Sequence, residues 1–142
     1  MDSKLRTASW VLLAIVGVLV LLFSLASANL AYRGMYSIAG VSIAEVAAGR
    51  EGVLLGLRGV RGTSAAWGAA WAVLFLAAVI GPYRRGDAST WWGLLASVVV
   101  LAAVASARVL VGVQTGTGAP LLLLVIVLVA LLLDVRRLGS SR

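Results

Sequence analysis

The side chains best able to bind something in this 142-residue chain are arginines. Arg108 lies near the far end of an otherwise uncharged apolar run, residues 91–112, and Arg58 and Arg61 stand three apart ahead of another such run. A guanidinium is planar, always charged and able to donate two parallel hydrogen bonds to a carboxylate or phosphate, so three of them near apolar segments suggest an anion site. Two ligands suit that chemistry. One is a lipid phosphate held by Arg58, Arg61 and Arg108, with Trp67 and Trp71, four apart, against its apolar part. The other is internal pairing of Arg108 with Glu45 or Glu51. Simpler roles compete with both: Arg108 snorkelling to the headgroups, Arg58 and Arg61 as ordinary helix-end charge, Trp67 and Trp71 as interface anchors.

What is missing narrows the chemistry further. The sequence has no Cys and no His. That excludes disulfides, thiolate metal sites and redox dithiols, and removes the usual haem ligand and the commonest general base. Lys4, the single lysine, lies outside every apolar run, which excludes a buried Schiff base. Ser97 and Ser106 have no base to activate them, so they are expected to bond between helices or back to their own helix. Acid–base catalysis would have to rest on Glu45, Glu51 or a water. No enzyme activity, cofactor or metal is therefore expected. Asp134 follows directly on an apolar run and reads as an interfacial charge pairing with Arg136 and Arg137. With no carboxylate in mid-span, a proton-coupled pump or a small multidrug transporter is disfavoured.

The elements that must position these residues are membrane helices. Hydrophobic residues make up 62% of the chain and charged ones 12%, with a mean hydropathy of +1.08; a soluble domain carries about 25% charged residues. The net charge of +7 flanks the apolar runs, which fits anionic headgroups and membrane orientation and not nucleic acid. The expected fold is all-α, an integral membrane bundle of four transmembrane helices in one domain, residues 1–142. Its spans are about 10–28, 64–81, 91–112 and 119–134. Residues 1–28 also resemble a secretory signal, with a basic start and Ala26-Ser27-Ala28, but the apolar run is longer than a signal core and reads as a retained helix. Thr63 or Ser64 is available as N-cap of the second span. Gly81-Pro82 is expected to end it, with a polar turn over residues 83–87. Residues 114–120 read as a turn, with Pro120 in the first turn of the last helix.

The segment 29–63 is expected to lie outside the membrane as a short interfacial helix plus irregular structure. Ile38, Val41, Glu45 and Val46 fit a helical period. Gly49, Gly52, Gly56 and Gly59 would share a helical face, or form a flexible loop. Seven Lys and Arg (Lys4, Arg6, Arg84, Arg85, Arg136, Arg137, Arg142) fall on the side of the termini, against four (Arg33, Arg50, Arg58, Arg61) on the other. Both termini are therefore expected in the cytoplasm, in a cell inner membrane.

Arg61-Gly62 followed by Gly68, then Arg108, then Gly116 and Gly118-Pro120, resemble a pattern in a family of short bacterial four-span membrane proteins of unknown function. The resemblance covers roughly residues 57–134. It implies the four-span fold and no activity, and it points to Arg61 and Arg108. The family often carries a glutamate within the fourth span, where this chain has only Asp134 at the edge.

These readings lead to a non-catalytic accessory or assembly subunit of a larger membrane complex, whose partners are membrane lipids and other subunits or further copies of itself. The alternative is a binder or carrier of an anionic lipid or other amphiphile at the outer leaflet.

Overall fold

The computed structural model describes residues 2–38, 40–110 and 118–135. Apolar runs become helices: α1 (Asp2–Tyr32), α3 (Glu51–Ala78), α4 (Ala88–Leu110) and α5 (Gly118–Leu133). Between α1 and α3 lie two short antiparallel strands, β1 (Ser37–Ile38) and β2 (Val41–Ser42), then a short helix α2 (Ile43–Ala47). Three helical segments are long and apolar enough to cross a membrane (Lys4–Tyr32, Glu51–Tyr83, Ala88–Ala107), and Pro120–Leu133 is a shorter apolar helix. Their large side chains face outward, Leu74 at 71% exposure and Phe23 at 62%, as lipid-facing surfaces require.

Two expectations about the second span fail. Its helix begins at Glu51, so neither Thr63 nor Ser64 is an N-cap: both lie mid-helix, and the Ser64 hydroxyl donates back to Val60 O at 2.8 Å. Nor does Gly81-Pro82 end it. The helix continues through a π-turn, Val79–Tyr83, that contains Pro82, and Arg84 N–H bonds Val79 O, five residues back, as well as Gly81 O. The wider turn accommodates a ring that would collide with the carbonyl four residues earlier. The helix stops at Gly86, whose φ of 102° closes a Schellman motif: Gly86 N–H to Tyr83 O and Asp87 N–H to Pro82 O. Asp87 then caps α4, accepting from Thr90 N–H at 2.8 Å and from the Thr90 hydroxyl.

The 29–63 segment also differs from expectation. Ile38 and Val41 pair across the strand ladder instead of sharing a helical face, and Gly40, at φ 85°, suits the tight reversal between them. Gly49, at φ 76°, belongs to the turn after α2, whereas Gly52, Gly56 and Gly59 are helical and part of α3. Length decides the issue, because about five further turns of α3, residues 60–78, propagate a helix that three glycines would not start alone.

The chain divides into two compact units, residues 18–73 and residues 1–17 with 74–142. In the first, α1 and α3 approach closely where side chains are small. A Cβ on Gly62 would lie 2.3 Å from the Tyr32 ring, and one on Gly68 2.7 Å from Ser24 Oγ. In the second, α4 and α5 pack together, and Leu13, Val16, Phe75, Val79, Leu94, Val98 and Val127 form the core. Gly17 lets α1 meet Leu76 and Phe75 there.

Candidate functional site

Each unit holds one polar cluster. In the unit formed by residues 1–17 and 74–142, the cluster is built on the end of α5. Helices leave their last carbonyls without partners, and the two residues that follow Leu133, Asp134 and Val135, are not glycine. Asp134 N–H bonds Leu131 O at 3.2 Å. Neighbouring elements supply the donors. Ser9 on α1 is fully buried and donates its hydroxyl to Ala130 O at 2.7 Å. Trp91, in the first turns of α4, donates Nε1–H to Leu131 O at 3.1 Å. Tyr83, fully buried on the π-turn, places its hydroxyl 2.7 Å from Ser9 Oγ. Since Ser9 has one proton and a carbonyl only accepts, Tyr83 O–H donates to Ser9.

Arginines stand next to this cluster in the sequence, Arg6 before Ser9 and Arg84 after Tyr83. Arg6 donates to Arg84 O at 2.9 Å, and the Arg84 guanidinium lies 4.9 Å from the Trp10 ring centre. Asp134, expected as an interfacial charge, is buried at 7% exposure; its expected partners Arg136 and Arg137 lie outside the described residues. Trp91 is buried at 4% exposure and meets the exposed Trp92 edge to face at 4.9 Å. The start of α1, the end of the α3 π-turn, the start of α4 and the end of α5 thus converge at one level.

In the unit of residues 18–73 the basic residues gather where α1 ends. Gly34, at φ 72°, closes a Schellman motif on α1 with Met35 N–H bonded to Leu30 O. Arg58 of α3 packs its guanidinium directly over Gly34, its terminal nitrogen 2.5 Å from where a Cβ would be. The positive charge there complements the negative end of the α1 dipole. Arg61, one turn on, lies 4.6 Å from the Tyr36 ring centre, a cation–π distance. Glu45 belongs to the capping box of α2: its carboxylate accepts from Ser42 N–H at 3.0 Å and from the Ser42 hydroxyl at 2.9 Å. Glu51 is exposed at the start of α3.

Of the residues expected to act together, Arg58 and Arg61 meet on the same short segment, 34–36. Trp67, 73% exposed, and Trp71, half-buried, lie further along α3. Arg108 falls on α4, and its side chain lies outside the described residues. Ser97 and Ser106 bond their own helix, to Gly93 O at 3.0 Å and Ala102 O at 2.9 Å.

The sequence reading missed Ser9, Tyr83 and Trp91 as a unit, and Tyr36 as the platform for Arg61. A signal for the first existed, since each stands at the basic end of an apolar run. Among the described residues no three carboxylates converge as a metal site would require. No family model, curated protein or solved structure matches the chain.

Proposed function

We propose that the chain is a non-catalytic accessory or assembly subunit of a larger membrane complex, crossing the membrane four times with both termini on the cytoplasmic side. The observation that carries the partner role is the open glycine face of α3. A Cβ added at Gly52, Gly56 or Gly59 would meet nothing within 4 Å. Glycine in a helix costs roughly 0.8–1 kcal/mol relative to alanine, and at Gly17, Gly62 and Gly68 that cost is recovered by close contact. Three glycines at four- and three-residue spacing, with no neighbour, suit the close approach of another helix. The partner is another subunit or a second copy of this chain.

Four crossings are supported by the level at which Ser9, Tyr83, Trp91 and Ala130 meet, because an up-and-down bundle brings alternate helix ends together in this way. The uncharged stretch 62–83 fits too: as a helix it is about 33 Å long, near the ~30 Å hydrocarbon thickness. α5 is about 24 Å long, a mismatch that local thinning absorbs.

Two experiments test the reading. Because the chain has no Cys, single cysteines report topology directly. Ser37→Cys is expected to react with an impermeant maleimide in intact cells and Ser89→Cys only after permeabilisation; labelling of Ser89→Cys in intact cells would overturn the orientation. Gentle extraction at native expression, followed by cross-linking and mass spectrometry, is expected to show a stoichiometric protein partner or a defined homo-oligomer, lost in Gly56→Leu with the helical content kept. A wild-type chain that elutes as a monomer with lipid alone would refute the subunit role.

A further inference from the structure

We propose that Arg58 and Arg61 form a binding site for the phosphate of an anionic phospholipid headgroup. The inference is independent of the protein partner and uses only residues of the 18–73 unit.

The site begins with spacing: three residues apart on α3, the two arginines share a face. Both are held in place by the chain that follows α1. Glycine at position 34 leaves room for the Arg58 guanidinium, and the Tyr36 ring supports that of Arg61 from one side. Stacking on a ring leaves the in-plane N–H groups of a guanidinium free to donate. Each guanidinium carries five N–H donors, and among the described residues neither has a carboxylate or a hydrogen-bond acceptor as partner. Arg58 Nε is moreover shielded from solvent without an acceptor. Of the two acidic residues in this unit, Glu45 is held in the α2 capping box, and Glu51 stands at the start of α3, seven residues before Arg58. Two pinned, unneutralised forks with donors to spare match a phosphate, whose oxygens accept bidentately from each.

The depth of the site selects a lipid as the source of that phosphate. Trp67, 73% exposed, is six residues beyond Arg61, about 9 Å along the helix. The uncharged stretch that begins directly after Arg61, residues 62–83, is about 33 Å long as a helix and fills the ~30 Å hydrocarbon, which puts Trp67 just inside its boundary. Arg61 therefore lies at headgroup level, where anionic lipids are concentrated and a free phosphate is not.

The test is native mass spectrometry of the full-length protein released from nanodiscs of mixed phosphatidylglycerol and phosphatidylcholine. The wild type is expected to retain one phosphatidylglycerol in preference to phosphatidylcholine, and Arg58→Gln/Arg61→Gln to retain at least tenfold less. Arg33→Gln/Arg50→Gln removes the same charge from the same segment and is expected to leave retention unchanged. Equal loss in that control would show diffuse surface charge and overturn the site, as would unchanged retention in the Arg58/Arg61 variant. Displacement of the lipid by millimolar inorganic phosphate would overturn the lipid as ligand. If the double variant does not fold, Arg61→Gln alone, at an exposed position, is expected to lower retention several-fold, and full retention in that variant refutes the site.

Discussion

Ser9→Ala is the sharpest probe of how the helices of residues 1–17 and 74–142 are joined. The substitution deletes one oxygen, and the structure gives that oxygen two bonds, to Ala130 O and to the Tyr83 hydroxyl, both at 2.7 Å. A buried hydrogen bond contributes about 0.5–1.5 kcal/mol net in water-soluble proteins. Interhelical bonds within membranes average nearer 0.6 kcal/mol. Two of them give an expected loss of about 1–3 kcal/mol. The removed atom is small enough that the cavity contribution is minor. Unfolding of the purified protein by SDS titration in mixed micelles measures the loss. Hydrogen exchange locates it, since the last turn of α5, residues 131–134, is expected to exchange faster once Ala130 O has lost its donor. Ser97→Ala is the matched control, because that hydroxyl bonds only its own helix. It is expected to change stability by less than about 0.5 kcal/mol. If Ser9→Ala were as neutral as Ser97→Ala and left exchange at α5 unchanged, tertiary capping of α5 by α1 would be refuted.

Gly17→Val places a side chain 2.7 Å from Leu76 and 3.1 Å from Phe75, and is expected to cost about 1–3 kcal/mol by overpacking, read in the same titration. Gly56→Ala meets open space and is expected to stabilise the isolated chain by up to about 1 kcal/mol through helix propensity, while weakening partner retention on extraction. Asp87→Ala removes the cap of α4 and is expected to cost about 0.5–2 kcal/mol, with faster exchange at residues 88–91.

Much of the secondary structure was legible because hydrocarbon thickness imposes run lengths, and residues 10–28, 64–81 and 91–110 all prove helical. Pro120 falls in the first turn of α5, as its missing N–H predicts. The boundaries were less legible for a physical reason. Proline and serine carry local rules, but a helix already fixed by long neighbours overrides them. Pro82 is absorbed by a π-turn and Ser64 by back-bonding. Glu45 was read as a charge in search of a cation. Its partner is three residues away, in a Ser-x-x-Glu pattern that is visible in the sequence as a capping box.

The polar clusters were legible only in part, because their partners are distant in sequence: Ser9 and Tyr83 are 74 residues apart. Depth, however, is readable from sequence in a membrane protein. Each helix end that carries basic residues is assigned to one headgroup level, and polar side chains just inside it have few acceptors other than one another and the carbonyls of helix ends. Ser9 beside Trp10, Tyr83 before Arg84 and Trp91 near Asp87 are all just inside such an end. The carbonyls of Ala130 and Leu131, near the end of α5, are the acceptors at that level. The same logic separates the two arginine pairs. Arg6 and Arg84, in the unit of residues 1–17 and 74–142, are engaged by a carbonyl and a tryptophan ring. Arg58 and Arg61 rest on a glycine and a tyrosine ring, neither of which accepts a conventional hydrogen bond from a guanidinium, so their donors remain available to a ligand. What separates a structural arginine from a binding one is thus the acceptor it has found, and that is fixed by the turn opposite rather than by the arginine's own sequence context.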